Sequence, residues 1–230
     1  MRKQPPGRVI VTGGGSGLGA EIVEVILDAG GTPFVFDRDV GEVSAVKSLQ
    51  VDVSDRDAVE KAVHEVAESL GGIDGVVTAA GLDRRGRLGD IPADAWEEVI
   101  SVNLLGTVSV VRAALPYLKE SHGRAITIAS TLGLRAVPEA TAYCAAQSGI
   151  IGFSRALAAE TGGIIGVTTI IPGGMKSNFD DNRDDRKPAG APALNDAENV
   201  AHAVVFALSQ PVGSEVRELV ICPAEEGSWP

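Results

Sequence analysis

Aromatic side chains are scarce in this chain: five Phe, two Tyr and two Trp amount to 4% of its 230 residues. Beside 28 glycines, that scarcity fits tight strand-to-helix turns better than an all-β sandwich. Cysteine is nearly absent. Cys144 and Cys222 share no spacing pattern, which argues against a disulfide scaffold or a zinc framework. His64, His122 and His202 stand singly, and the acidic group at 180–185 matches no calcium loop, so no metal site is expected. Basic residues are also short: 20 Lys and Arg against 31 Asp and Glu give a net charge of −11. Nucleic acid and an anionic membrane surface both reward a basic face, so neither is the expected partner. Long apolar runs are missing near the start, where Pro5 and Pro6 precede only Val9-Ile10-Val11. That is too short for a signal or membrane-spanning segment, and a cytoplasmic location is expected.

What is present suits one domain spanning 1–230, with 44% apolar residues to build its core. Val9-Ile10-Val11 runs into Thr12-Gly13-Gly14-Gly15-Ser16-Gly17-Leu18-Gly19, and Ile22, Val23, Ile26 and Leu27 follow at helical spacing. A strand, a glycine turn and a helix N-terminus together make a cradle for a pyrophosphate. The next strand, Thr32 to Phe36, ends in Asp37, eighteen residues beyond Gly19. An acidic residue at about that distance binds the adenosine ribose hydroxyls and repels a 2′-phosphate, whereas Arg38 beside it could accept one. NAD is the expected cofactor, ahead of NADP.

Strands and helices then alternate. Strands are expected at 49–53, 75–81, 125–129, 167–171 and 218–222. Helices are expected at 56–70, 94–121, 139–160 and 199–208. Asp55 should cap the first of these helices, and Pro116 should bend or end the second. The polar stretch 174–195 follows a strand end, where ligands bind in open α/β sheets, so it is a candidate substrate lid. The order predicts an α/β fold, a Rossmann-type doubly wound parallel sheet in a single domain. Ser130 closes the strand at 125–129, and Tyr143 and Gln147 lie four apart on the following helix, sharing a face.

These residues resemble the short-chain dehydrogenase/reductase family in its shorter form, over nearly the whole chain from Val9 to Cys222. Thr12-Gly13-x-x-x-Gly17-x-Gly19 matches the family's cofactor turn, and Asp52-Val53 the pair flanking the adenine. Asn103, Ser130 and Tyr143 match its catalytic asparagine, serine and tyrosine, and Pro172-Gly173 the turn beside the nicotinamide. The resemblance implies a cofactor site formed by Gly13, Ser16, Gly17, Leu18, Gly19, Asp37, Arg38, Asp52, Val53, Ala79, Ala80, Gly81, Tyr143, Gln147, Pro172, Gly173, Met175 and Ser177.

Three positions depart from the family pattern. Thr78-Ala79-Ala80-Gly81 replaces an asparagine-rich turn, and Ser177 replaces a threonine. Gln147 stands where the family has lysine in Tyr-x-x-x-Lys. By resemblance that lysine binds the nicotinamide ribose, lowers the tyrosine pKa and joins a proton relay through the asparagine. An amide keeps the hydrogen bonding and loses the charge. Expected, then, is an NAD(H)-dependent oxidoreductase interconverting a secondary alcohol and a ketone, impaired by Gln147, whether that residue is natural or introduced. Tyr143 exchanges the proton, Ser130 polarises the carbonyl, and Asn103 holds a relay water. The alternative is an inactive dinucleotide-binding sensor or partner subunit. The resemblance also implies a homo-tetramer or homo-dimer, and Ala142, Ala145, Ala146 and Ile150 are the small and apolar positions suited to close helix contact.

Overall fold

The computed structural model describes residues 4–40, 46–176 and 194–225. In chain order the strands are β1 (Arg8–Thr12), β2 (Thr32–Asp37), β3 (Lys47–Gln50), β4 (Gly75–Thr78), β5 (Arg124–Ile128), β6 (Gly166–Pro172), β7 (Met175–Lys176), β8 (Asn195–Asp196) and β9 (Glu218–Ile221). Seven of them form one sheet in the order β3-β2-β1-β4-β5-β6-β9, and every neighbouring pair is parallel. β7 and β8 form a separate two-stranded pair. Parallel neighbours need a crossover, and helices supply it: α1 (Gly17–Asp28), α2 (Arg56–Leu70), α3 (Ala93–Val99), α4 (Thr107–Ser121), α5 (Thr141–Thr161) and α6 (Ala197–Leu208).

The helices cover both faces of the sheet. Ile10, Val76 and Ala125 face α2 and α4, while Val9, Val11, Val77 and Ile126 face α1 and α6. Covered on both sides, the central strands read as unbroken apolar runs such as Val9-Ile10-Val11 instead of alternating. Each fully buried Val or Ile contributes about 1.5–3 kcal/mol of transfer free energy. The connection reverses direction between β1 and β4, and such a switch point leaves a crevice at the strands' C-terminal ends.

α2 begins and ends where expected: Asp55 accepts the Ala58 N–H at 3.0 Å, and Gly71 closes it in the left-handed conformation at φ 71°. Elsewhere the boundaries move. The strand expected at 49–53 is β3 at Lys47–Gln50, so Asp52 and Val53 lie beyond it. The long helix departs from α geometry at Ile100–Gly106, a π-helical segment, and continues through Pro116 to Ser121. By length and composition Ala93–Ser121 could cross a bilayer. Val99, Val110, Val111, Ala114 and Leu118 are nonetheless buried in the domain's own core. Ala142, Ala146 and Ile150 are also buried within this chain, which leaves Ala145 alone of those four exposed to a second copy. Of the stretch 174–195, residues 177–193 lie outside the described residues, and Ser177 with them. Its two ends are joined through β7 and β8 and by Lys176 Nζ to Asp196 Oδ1 at 2.8 Å.

At the opposite, N-terminal ends of β1 and β4, Arg8 and Asp74 make a two-pronged pair. Nε reaches Oδ2 at 2.7 Å and Nη2 reaches Oδ1 at 2.7 Å, and the Arg8 backbone N–H adds a third bond at 2.8 Å. Hydrogen bonds from the Arg8 side chain are the main reason the Asp74 carboxyl sits below its ordinary range. A depressed folded-state value contributes stability above the ordinary carboxylate range, and that contribution is lost as pH falls through the depressed value. Asp74→Asn is expected to cost about 1–2 kcal/mol at neutral pH. In urea titrations the gap to the parent chain should close toward acid pH; a pH-independent gap would exclude the pair as its source.

Candidate active site

A cleft of about 530 Å³ opens along the C-terminal ends of β1, β2, β4, β5 and β6. Its floor is made where the exits of β1 and β4 touch. Thr12 Oγ1 accepts the Ala80 N–H at 3.1 Å. Gly13 turns there at φ 70°, and a Cβ on it would lie 2.8 Å from the Ala80 nitrogen. A Cβ on Gly19 would lie 2.0 Å from the Gly13 carbonyl oxygen, so the first turn of α1 closes tightly over the glycine loop. Ser16 precedes α1 without a side-chain cap bond, and no acidic residue occupies the first turn. The helix N-terminus therefore keeps N–H groups and a positive dipole end for an anion.

The end of the cleft at the exit of β2 carries two carboxylates, Asp37 and Asp52. Asp37 Oδ2 accepts the Gly15 N–H at 2.9 Å and its Oδ1 accepts the Asp39 N–H at 3.0 Å, which fixes the carboxylate at the rim. Arg38 is exposed beside it. Asp52 accepts bonds from the Ser54 hydroxyl at 2.6 Å and the Ser54 N–H at 2.9 Å. The hydroxyl bond is the larger reason its carboxyl lies below the ordinary range.

The other wall is held by backbone contacts. Asn103, 1% exposed, lies inside the π-helical segment and clamps the loop after β4. Its Oδ1 accepts the Leu82 N–H and its Nδ2 donates to the Leu82 carbonyl, both at 2.8 Å. A local π-widening of this kind is common at functional sites. Ser130 begins a short 3-10 turn and accepts the Leu132 N–H at 3.2 Å. That turn is pressed on α5: a Cβ on Gly133 would lie 2.8 Å from the Gln147 carbonyl carbon, and Ser148 Oγ donates to the Gly133 carbonyl at 2.8 Å. So Ser130 is brought to the helix face that carries Tyr143 and Gln147, and all three line the cleft.

Gly13, Ser16, Gly17, Leu18, Gly19, Asp37, Arg38, Asp52, Val53, Ala79, Ala80, Gly81, Asn103, Gly173 and Met175 also line this cleft. Among the described residues, Pro172 is the exception. It is buried at the end of β6, one residue short of the opening. Thr78, Leu82, Asp83, Arg84 and Arg85, none of them among the expected site residues, also line the cleft. Their position directly after β4, at the switch point, was the signal available. Thr78 Oγ1, Asp83 Oδ1 and Gln147 Oε1 are buried without hydrogen-bond partners, as is Glu215 Oε2 elsewhere.

Residues 8–188 match the sequence pattern of the family described as short chain dehydrogenase. The chain belongs to that family. An uncharacterized oxidoreductase of Staphylococcus saprophyticus is 31% identical over 230 residues, covering 93% of this chain and 96% of that one. Another, from Staphylococcus aureus strain MW2, is 30% identical over 229 residues with the same coverage. Among solved structures, an alcohol dehydrogenase from the archaeon Thermococcus sibiricus, complexed with 5-hydroxy-NADP, superposes with a TM-score of 0.85. It shares 24% identity, over 95% of this chain and 97% of that one. The chain is thus an oxidoreductase of a fold that binds a nicotinamide dinucleotide.

The Asn103 clamp is open to a direct test. Asn103→Ala leaves the Leu82 N–H and carbonyl without partners and is expected to cost about 2–4 kcal/mol. Asn103→Asp sets a buried carboxylate oxygen against the Leu82 carbonyl that Nδ2 had donated to, so urea denaturation should place it no higher than the alanine variant. Equal stability of all three would remove the clamp from the account.

Proposed function

We propose that the chain is an NAD(H)-dependent oxidoreductase that interconverts a secondary alcohol and a ketone. One observation carries the reading: a single cleft holds the bare glycine cradle, the Ser130 and Tyr143 hydroxyls, and buried polar atoms without partners. Burying such atoms is costly unless a ligand pairs them. The residues fit a dinucleotide along the cleft's whole length. The α1 N-terminus would take the pyrophosphate and Asp37 the adenosine ribose. Gln147 Oε1 would accept from a nicotinamide ribose hydroxyl, and the Thr78 hydroxyl, also without a partner in the chain, would pair with the cofactor beside it. When bound, the reduced nicotinamide supplies the hydride that the carbonyl carbon accepts.

The protein's own part is positioning and proton transfer. Tyr143 donates its phenolic proton to the carbonyl oxygen, and Ser130 donates a hydrogen bond to the same oxygen. Asn103 keeps the Leu82 loop in place. Its side-chain amide is committed to that loop, so a relay water at this residue would use its backbone carbonyl. Gln147 stands at the family's lysine position and brings no charge to favour a phenolate. Reduction, which starts from the neutral phenol, is the favoured direction. Asp37 favours NAD, although the structural relative from Thermococcus sibiricus carries an NADP analogue.

The neutral residue at 147 also supports a second reading, a dinucleotide-binding sensor without turnover. Fluorescence titration with NADH and NADPH, followed by a ketone panel, separates the two. NADH is expected to bind at least about tenfold more tightly than NADPH. Gln147→Lys should raise the reduction rate by about 10²–10⁴-fold. Tight NADH binding with no turnover in either form would leave the sensor reading standing.

A further inference from the structure

The dinucleotide accounts for Gln147 Oε1 and Thr78 Oγ1 but not for the third partnerless atom. Asp83 lies on the loop after β4, and its side chain is 4% exposed. Its Oδ2 is held by Arg85 Nε. Its Oδ1 has neither a donor nor contact with solvent. The other two carboxylates lining the cleft are engaged at both ends or doubly: Asp37 by two backbone N–H groups, Asp52 by Ser54. Asp83 follows Leu82, whose backbone is locked on both sides by Asn103, so the carboxylate is set in place.

A purely structural ion pair does not explain this arrangement. Arg85 is 40% exposed, and an exposed guanidinium gains little from holding a carboxylate out of water. Burying one oxygen unpaired is the more costly part. Charge narrows what could pair with it. Arg85 offsets Asp83, and Arg84 is paired to Glu98 at 3.1 Å, so this end of the cleft has no net charge to hold an ammonium or a carboxylate. A neutral donor fits.

We propose that Asp83 is a specificity residue whose Oδ1 accepts a hydrogen bond from a hydroxyl of the substrate. The substrate is then a hydroxylated ketone in one direction and a diol in the other. The hydroxyl is a bystander: no bond to it forms or breaks, and it fixes which carbonyl face is presented to Tyr143 and Ser130. Arg85, on the exposed side of the pair, is the group that shifts to admit it. This assignment rests on the oxidoreductase reading above.

The test compares butan-2-one with 3-hydroxybutan-2-one and 4-hydroxybutan-2-one, with NADH, by kcat/KM. At least one hydroxyketone is expected to exceed butan-2-one by about ten- to a hundredfold. Asp83→Ala should bring that ratio close to one, and Asp83→Asn, which keeps a neutral acceptor, should leave it between. Saturation-transfer NMR gives a readout free of turnover: butane-2,3-diol should show contact with the parent protein that butan-2-ol lacks, and Asp83→Ala should abolish it. NADH titration checks that each variant is folded. If the alanine variant fails that check, the asparagine variant decides, and its ratio must fall severalfold. A parent ratio near one, or a ratio that survives these substitutions, overturns the Asp83 assignment and leaves the oxidoreductase reading intact. No turnover of any ketone by the parent or by Gln147→Lys overturns both.

Discussion

The exit of β1 lies backbone against backbone on the exit of β4, and the cleft exists because of that contact. Thr12 and Gly13 meet Ala80 so closely that a side chain at 13 has no room. The space above them stays open across both strand ends, where the sheet's connection reverses. The remaining walls are fixed the same way. Asn103 grips the Leu82 backbone, and the Ser130 turn rests on the backbone of Gln147 through Gly133. Short-range backbone contacts leave fewer rotamers to freeze than long polar side chains would. A site built on them is largely positioned before a ligand arrives.

Electrostatics inside the cleft differ from those of the whole chain. The protein carries a net charge of −11, but the described lining includes Asp37, Asp52 and Asp83 against Arg38, Arg84 and Arg85, and no lysine. A pyrophosphate bound there would therefore depend on the α1 N–H groups more than on cations. The same restraint applies to the proton chemistry. A cation beside a phenol can shift its pKa by about one to three units, each worth about 1.36 kcal/mol. Glutamine at 147 carries no charge and gives up that stabilisation.

How much of this was legible in the sequence depended on whether its cause was local. α2 was read to the residue because Asp55 and Gly71 mark its ends by their own chemistry. The glycine turn was legible for the same reason. β3 was misplaced because it is an edge strand of Lys, Ser, Leu and Gln, with little apolar pattern to anchor it. The irregularity in the long helix was assigned to Pro116. It lies instead at Ile100–Gly106, where Asn103 turns to a loop twenty-one residues earlier in the chain. The small residues of α5 looked available to a partner, yet Ala142 and Ala146 pack against Val99 inside the domain. Periodicity identifies an apolar face. It does not say whose core that face enters.

Asp83 shows the same limit from the other side. In sequence it is one charge among several in a polar loop, and its burial follows from a clamp formed by a residue twenty positions away. Together with Gln147 it gives the cleft a consistent bias: its unpaired carboxylate and amide oxygens accept hydrogen bonds and bring no positive charge. Catalytic sites that rely on an ammonium stabilise anionic intermediates, whereas these two oxygens favour neutral hydrogen-bond donors. Sugar hydroxyls of a dinucleotide are such donors, and so is a hydroxyl next to a carbonyl. Both unusual residues thus point to one constraint on what the cleft can hold, and that constraint is set by acceptor geometry more than by charge.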